Sequence, residues 1–464
     1  MKFKAPFPFW VLSAFLLLVF LTGGSSRGDV LSLALLLPAT VIICGIGCYT
    51  LQRNQVHGNF PLFLALSAAF FVVGLHLVPL PPEIWHGLGG RSDIVAIDKI
   101  AGLDGNWRAL TVTPANGWDS FLRLFVPFTI LVLGVQLDRK NIYRLLWIVL
   151  ALTLVSGGFG IMQAVGSNDS PAYLYRISDR ENAVGLFANR NHAAVLLACV
   201  FPMLAAIASV DVADSRARKQ LQIFGGSVAL ILIPLILITG SRSGLVVSAI
   251  GLLGAAFLYK NPVQSRDSGS RSFRIVVRSG RLWAGIAIFC VASATYVFAR
   301  AKAVERIFGD AHNTDARTDF WSASVDLVKN YNPWGSGAGS FPSVYQIVEP
   351  KALLDPTYLN RAHNDWLEAA VTYGLPGTLF LTGAGLLYLK RAFQILRAKD
   401  HIRRAVIYAR MAGVSIAILA VASISDYPVR TPIIMSVLMI FILWFWPVRE
   451  ISGNAKNFQN GKAF

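Results

Sequence analysis

Four short polar segments interrupt a largely apolar sequence, and each carries cationic or titratable side chains. They are residues 185–192, 239–244, 316–321 and 361–368, and Arg430 stands apart from them. Arginine presents a planar, permanently charged fork that suits phosphate oxygens, and histidine can accept a proton near neutral pH. Phosphate binding and general-base chemistry are therefore the functions that these residue types allow.

Arg242 is the strongest candidate among the arginines. It lies in the turn 239–244 between two apolar spans, where Gly240 and Gly244 let the backbone approach a ligand closely. The alternative is an arginine that extends to lipid headgroups. We favour a functional role, because such a turn needs only small residues and the charge balance described below disfavours arginine on this side.

Four further arginines are candidates with weaker support: Arg190, Arg317, Arg361 and Arg430. Arg317 is expected on the first turn of a helix with Asp319 nearby, so a local ion pair is an equal alternative. Arg190 shares the start of a predicted helix with Asn189 and Asn191, which favours a polar site there. For Arg361 and Arg430, too, a local ion pair is the alternative explanation.

His363 is the candidate general base. It is followed by Asn364 and Asp365, and an adjacent carboxylate can hold a histidine in the tautomer that accepts a proton. The structural alternative is a polar helix end in which Asn364 or Asp365 caps the helix. His192 has a similar position but plainer neighbours, and for it we favour the structural role.

The sequence predicts neither a metal site nor a cofactor. All four cysteines lie in apolar segments, and no histidine or carboxylate completes a metal set with them. The glycine-rich segment 334–340 superficially resembles a dinucleotide-binding loop, but no strand precedes it and no Rossmann unit fits around it. We expect this segment to be a flexible turn.

These residues must be positioned by membrane helices. The chain has 464 residues, of which 55% are hydrophobic and 14% charged, whereas soluble domains are about 25% charged. A bilayer-spanning helix needs about 20 apolar residues. We predict an all-α integral membrane protein with about twelve transmembrane helices, near residues 7–21, 30–51, 60–80, 119–137, 145–164, 191–210, 221–239, 244–259, 282–299, 374–389, 406–424 and 432–447.

The distribution of charge orients the helices. Of the 42 Lys and Arg residues behind the net charge of +17, 24 lie in loops on the side of the N-terminus and 16 on the other side. The positive-inside rule therefore places both termini in the cytoplasm. Contact with anionic lipid explains the basic loops, so we predict no nucleic-acid partner.

Three outer loops are long, at about 81–118, 165–190 and 300–373. Residues 316–330 of the last loop have a helical pattern, and Asn332-Pro333 predicts a turn after it. We expect 300–373 to form a large, mostly helical cap between helices 9 and 10. The four polar segments all lie on this outer face.

The order of the 239–244 turn, the 317–321 segment, the 335–341 glycine loop and the 363–368 segment resembles the O-antigen ligase and polymerase superfamily of bacterial inner-membrane glycosyltransferases. The resemblance covers about residues 190–440. It predicts N-terminal helices over 1–189, a catalytic membrane domain over 190–447 that includes the cap 300–373, and a cytoplasmic tail over 448–464.

The resemblance implies a substrate and a set of roles. The donor is a glycan on undecaprenyl diphosphate at the periplasmic face. A ligase transfers it to a lipid A-core sugar and a polymerase to another lipid-linked glycan, with a chain-length regulator as a candidate partner. The family's essential groups correspond to Arg242, Arg317 and His363, without a metal. Arg190, Arg361, Asp365, His192 and Arg430 are the candidates for substrate binding.

A second class of function stays open, because twelve helices are also common in transporters. The chain would then move a lipid-linked glycan across the membrane, with the arginines binding its diphosphate but catalysing nothing. The large outer cap and the lack of charge at mid-membrane depth favour the transferase.

Overall fold

The computed structural model describes residues 5–210, 214–260, 312–351, 359–398 and 404–446, and over 312–319 it describes the backbone alone. The predicted ninth helix, 282–299, and the predicted tail, 448–464, lie outside these residues. So do the beginning of the predicted cap, 300–311, and its segment 352–358.

The described residues are mostly helical, as the sequence predicts. Seven helices are long and apolar enough to cross a membrane: Ser32–Thr50, Pro114–Gly134, Arg139–Val165, Arg190–Ser209, Ser215–Leu237, Asp365–Leu396 and Arg404–Ser425. Four shorter apolar helices are Phe7–Thr22, Phe60–Leu75, Arg242–Leu258 and Pro432–Phe445. A helix satisfies its backbone N–H and C=O groups internally, whereas lipid offers these groups no hydrogen-bond partner. The chain is therefore a multi-pass membrane protein, and the total of twelve helices stays a prediction.

Two of the long helices consist of consecutive segments. Pro114–Gly134 comprises Pro114–Arg123 and Phe125–Gly134, and Arg190–Ser209 comprises Arg190–Ala198 and Val200–Ser209. Asn189 caps the helix Arg190–Ala198, and Ser241 caps the helix Arg242–Leu258. Each side chain accepts a hydrogen bond from a backbone N–H that has no partner inside its helix.

The predicted outer loop 81–118 is folded. Pro79–Leu80 and Arg108–Ala109 form a two-stranded antiparallel sheet, in which Pro79 lies opposite Ala109. The helices Pro82–Trp85 and Ser92–Ala101 lie between the two strands in the chain. Other short elements are the helix Arg53–Gly58 and the 3-10 helix Pro428–Arg430.

The described part of the predicted cap is helical. The helix His312–Tyr331 confirms the helical pattern of 316–330, a turn follows at Asn332-Pro333, and a second helix spans Phe341–Val348. The two helices share a hydrophobic core whose buried members include Tyr331, Phe341 and Tyr345. A mostly helical segment therefore precedes the helix Asp365–Leu396.

The expectation that 334–340 is a flexible turn is wrong. Gly335, Gly337 and Gly339 all have positive φ, and a Cβ on Gly337 would collide with the Cα of Thr111. Ser336 within this segment is fully buried. The glycines allow close backbone approach rather than motion.

This glycine loop is bonded to a break in the helix Asp365–Leu396. The break lies at Gly374, with φ 57° and ψ −147°, so carbonyls of the preceding turn lose their helical partners. The N–H groups of Ser336 and Gly337 donate to the carbonyls of Val371 and Thr372, each at 2.9 Å. The loop therefore holds the helical segment 365–373, and the segment after the break begins close to the predicted 374.

The chain divides into two compact units. The first contains Met1–Tyr143, Ala311–Tyr388 and Ser423–Ile440, and the second contains Arg144–Asp310, Leu389–Ala422 and Phe441–Phe464. His363 and Arg317 belong to the first unit, and Arg190 and Arg242 to the second. The predicted domain limits at 189, 190–447 and 448–464 stay predictions.

Candidate functional site

His363 in the first unit has an unusual backbone and a buried acidic neighbour. Its φ is +48°, a left-handed conformation that few residues other than glycine adopt. Its Nδ1 lies 3.5 Å from Oδ1 of Asp426, a side chain that is only 1% exposed. The ring packs edge-on against Tyr427, at 5.0 Å between centroids. With 30% of its side chain exposed, His363 is both held in place and accessible.

The carboxylate beside His363 differs from the one that the sequence indicates. Asp365, its neighbour in sequence, instead accepts a hydrogen bond from Nε of Arg430 at 2.9 Å and one from the Ser423 hydroxyl at 3.2 Å. Asp426, which the sequence-based reasoning missed, comes from the turn between the helices Arg404–Ser425 and Pro432–Phe445. The sequence feature that could have identified Asp426 is a carboxylate in a short turn between two apolar helices, a position where charge is costly.

Asn364 is a helix cap, as the structural alternative for this segment proposes. Its Oδ1 accepts a hydrogen bond from the N–H of Leu367 at 3.0 Å. Its carbonyl accepts one from the N–H of Glu368 at 2.9 Å. The cap fixes the start of the helix Asp365–Leu396, and with it the chain direction at His363.

Arg361 and Arg430 are paired to one buried carboxylate, Glu368. Arg361 Nη1 lies 2.9 Å from Glu368 Oε1, and Arg430 Nη2 lies 3.6 Å from the same oxygen. Glu368 Oε2 accepts the N–H of Ala362 at 3.0 Å, and Arg361 Nη2 donates to the carbonyl of Ser26 at 3.0 Å. Both arginines therefore have their charges compensated within the protein.

The pKa of Arg430 reflects this pairing. Burial by itself lowers the pKa of a guanidinium, but the Glu368 carboxylate, with help from Asp365, raises the pKa of Arg430 above its usual value. Arg430 is permanently charged, and it connects the turn that contains Asp426 to the helix that follows His363. This arrangement favours a structural role over the predicted contact with substrate.

Arg317 lies in the helix His312–Tyr331, as predicted, but on its second turn rather than its first. Only its backbone is described, so its predicted role stays a prediction.

Arg190 and Arg242 in the second unit occupy equivalent positions on two helices. Arg242 is the first residue of the helix Arg242–Leu258, where the Ser241 side chain accepts the N–H of Gly244 at 2.8 Å. Arg190 is the first residue of the helix Arg190–Ala198, where Asn189 accepts the N–H of Asn191 at 2.7 Å. Neither helix has an acidic residue in its first turn.

The two helix starts are in contact. The Ser241 hydroxyl donates to Oδ1 of Asn191 at 2.7 Å. A Cβ built on Gly240, whose φ is +62°, would lie 3.9 Å from Nη1 of Arg190, so this guanidinium reaches the 239–244 turn. Gly244 packs so closely that a Cβ there would collide with Ala194. Glycine is therefore required for the approach of the two helices.

This pair of helix starts has the electrostatics of an anion site. Helix N-termini carry partial positive charge, so a cation there is unfavourable and an anion favourable. The side chain of Arg242 is exposed. The carboxylate of Asp179 accepts the backbone N–H of Arg190 at 3.2 Å, which offsets part of the charge. The remaining positive potential suits a phosphate group.

His192, by contrast, is buried, with 1% of its surface exposed. Its ring packs edge-on against Phe187 at 6.2 Å between centroids. Contact with a substrate is not supported at this position, and a packing role in the helix Arg190–Ala198 is favoured.

Among the residues that the structure describes, no three or more His, Cys, Asp or Glu side chains are grouped so that they could hold a metal ion. Asp426 lies beside His363 and accepts the N–H of Tyr427, and Asp365 is paired with Arg430. Both carboxylates are therefore engaged with protein groups.

Two comparisons bear on identity. No curated protein matches the chain. The family model described as O-antigen ligase matches residues 227–382, a range that includes Arg242, Arg317 and His363. This match confirms the resemblance to the O-antigen ligase and polymerase superfamily of membrane glycosyltransferases.

Proposed function

We propose that the chain transfers a glycan from undecaprenyl diphosphate to a sugar hydroxyl of an acceptor, at the periplasmic face of the bacterial inner membrane. The acceptor is a lipid A-core sugar if the chain is a ligase, and another lipid-linked glycan if it is a polymerase. One observation carries the proposal. Within the matched domain, His363 is held in a left-handed conformation against a buried carboxylate while its side chain stays accessible.

His363 acts as the general base. As the acceptor hydroxyl attacks the anomeric carbon of the donor, its proton passes to Nε2 of His363. The bond from that carbon to the diphosphate oxygen breaks, and undecaprenyl diphosphate leaves with the electron pair. Direct displacement inverts the anomeric centre. The Asp426 carboxylate, 3.5 Å from Nδ1, stabilises the imidazolium that forms, and such contacts often tighten when substrate binds.

Arg242 and Arg317 stabilise the leaving diphosphate. Guanidinium groups and helix N-termini aimed at developing negative charge can lower a barrier without a metal ion. The contact between the starts of the helices Arg190–Ala198 and Arg242–Leu258 supports phosphate binding at Arg242 and adds Arg190 as a second contact. Arg361, Asp365 and Arg430 support the first turn of the helix after His363.

The proposal needs these groups on the periplasmic side. The Lys and Arg asymmetry supports twelve helices with both termini in the cytoplasm. Reporter fusions at Gly58, Asp93 and Lys351 should report cytoplasm, periplasm and periplasm, respectively. A cytoplasmic signal at Lys351 would place the cap in the wrong compartment and reject the proposal.

The deciding experiment is a transfer assay on the purified full-length protein in detergent, paired with a binding assay for the lipid-linked donor. General-base assistance is worth about 10²–10⁴ in rate. His363→Ala should lose transfer by about this factor, while donor binding and thermal stability stay at the wild-type level. His363→Gln should be nearly as slow, because an amide cannot accept the proton. If His363→Ala transfers at the wild-type rate, His363 is not the general base. If the wild-type chain binds the donor but transfers nothing, the transporter function is favoured.

A further inference from the structure

The folded loop between the helices Phe60–Leu75 and Pro114–Arg123 contains a cavity that the proposed chemistry does not use. Its volume is about 210 Å³, and aromatic and cationic side chains line it, namely Trp85, Trp107 and Arg108 together with Thr111. Pockets for drug-sized ligands measure about 300–1,000 Å³. The volume of this cavity therefore suits a smaller group, such as a single sugar ring.

The two tryptophans of the cavity differ in their surroundings. Trp85 is buried, and its Nε1 donates to the carbonyl of Ala109 at 2.8 Å, so it forms a fixed wall. Trp107 is 65% exposed, although tryptophan is on average a highly buried residue. An exposed aromatic face beside a cavity is typical of a binding site.

One polar group at the cavity lacks a partner. Nε of Arg108 is buried and has no hydrogen-bond partner among the described residues, although its Nη2 is paired to Asp98. Buried polar groups are normally hydrogen-bonded, so each such group requires an explanation. A ligand with hydroxyl groups can supply the missing bond.

We propose that this cavity binds one sugar residue of a glycan substrate. The inference rests on the proposed function for its class of ligand. A pyranose has one face of C–H groups, whose partial positive charge suits the negative face of the Trp107 ring. Its hydroxyls lie at the ring edge, where one can accept a hydrogen bond from Arg108 Nε. Neither a lipid tail nor a phosphate matches both features, because a tail lacks hydroxyls and a phosphate lacks an apolar face.

The test uses the purified full-length protein in detergent. The probe is the soluble oligosaccharide repeat that mild acid releases from the lipid-linked glycan of the producing bacterium. Binding is measured by ligand-observed saturation-transfer NMR. The wild-type chain should bind the probe, and Trp107→Ala should weaken binding by about tenfold or more. Trp107→Phe should retain most of the affinity, because it keeps an aromatic face.

Trp118→Ala is the matched control. Trp118 is 54% exposed in the same region but does not line the cavity, so its loss should leave binding unchanged. Equal thermal unfolding midpoints would show that the variants are folded. The proposal is overturned if the wild-type chain does not bind the probe at millimolar concentration, or if Trp107→Ala binds as well as the wild type.

The transfer assay separates the two sources of the sugar. A higher KM of Trp107→Ala for the donor alone indicates that the cavity holds donor glycan, and a higher KM for the acceptor alone indicates acceptor glycan. No rise in either KM overturns the role in substrate binding. A wild-type chain that binds the probe at this cavity but transfers nothing rejects the proposed function alone. Normal transfer without probe binding rejects this inference alone.

Discussion

Replacing Asp426 by asparagine tests whether its carboxylate acts through His363. The substitution keeps the side-chain oxygen that accepts the N–H of Tyr427 at 2.9 Å, but it removes the negative charge 3.5 Å from Nδ1 of His363. Two unit charges 4 Å apart interact by about 4 kcal/mol at an effective dielectric constant of about 20. Because His363 is 30% exposed, we halve this value to about 2 kcal/mol, which corresponds to a loss of about 30-fold in the transfer rate.

The assay is single-turnover transfer at saturating donor and acceptor, so that substrate affinity does not enter the rate. Asp29→Asn is the matched control, because Asp29 is an exposed carboxylate paired with Arg27 and should transfer at the wild-type rate. The double variant His363→Ala/Asp426→Asn distinguishes a positioning role from a structural one. If Asp426 acts only through His363, the double variant should be no slower than His363→Ala.

Two results would refute this reasoning. One is an Asp426→Asn variant that transfers within about twofold of the wild-type rate, because the Asp426 charge would then contribute far less than about 2 kcal/mol to the rate. The other is a double variant whose losses multiply, because Asp426 would then contribute independently of the histidine.

Three further predictions concern other parts of the chain. Arg242→Lys should lose most transfer activity in the same assay, because a point charge cannot reproduce a two-pronged contact with phosphate, and near-normal turnover would reject its role. Gly337→Ala should lower thermal stability by about 2 kcal/mol or more, since its φ is +101° and its Cβ would collide with Thr111; Gly158→Ala, with open space around its Cβ, should not. Burial, with a smaller contribution from the charge of Arg91, lowers the pKa of His76 to about 4 from 6.5, so the unfolded chain binds a proton first as the pH falls. Stability should therefore decrease by about 3 kcal/mol at most between pH 6.5 and pH 4, and unfolding midpoints of His76→Asn should depend less on pH over this range; an equal dependence in both proteins would contradict the assignment.

The sequence was sufficient for the membrane class and for the location of the candidate arginines and histidine. Hydropathy is a property of about 20 consecutive residues, and a polar turn between two such stretches is visible without any knowledge of contacts. The prediction that Arg317 lies in a helical segment was confirmed for the same reason, since helical periodicity is local. The family resemblance also followed from the order of short segments along the chain.

The partners of these residues required the tertiary structure. His363 lies beside Asp426 rather than Asp365, and Arg430 is paired with both Asp365 and Glu368. A carboxylate pairs with the nearest cation in space, so adjacency in sequence does not predict which ion pair forms. Asp426 lies beside His363, and Arg430 beside Asp365, only because the chain returns there after the helices Asp365–Leu396 and Arg404–Ser425.

The glycine loop 334–340 and the cavity likewise required the tertiary structure. Composition indicates that 334–340 is flexible, but the loop is packed and hydrogen-bonded, because a helix break at Gly374 supplies carbonyls for its N–H groups. Trp85 and Trp107 lie apart in sequence and share a cavity because the strand pair Pro79–Leu80 and Arg108–Ala109 closes the loop between them. Local residue patterns determined the elements of this protein, while long-range packing and hydrogen bonding decided which polar groups meet, because those energies depend on distance in space.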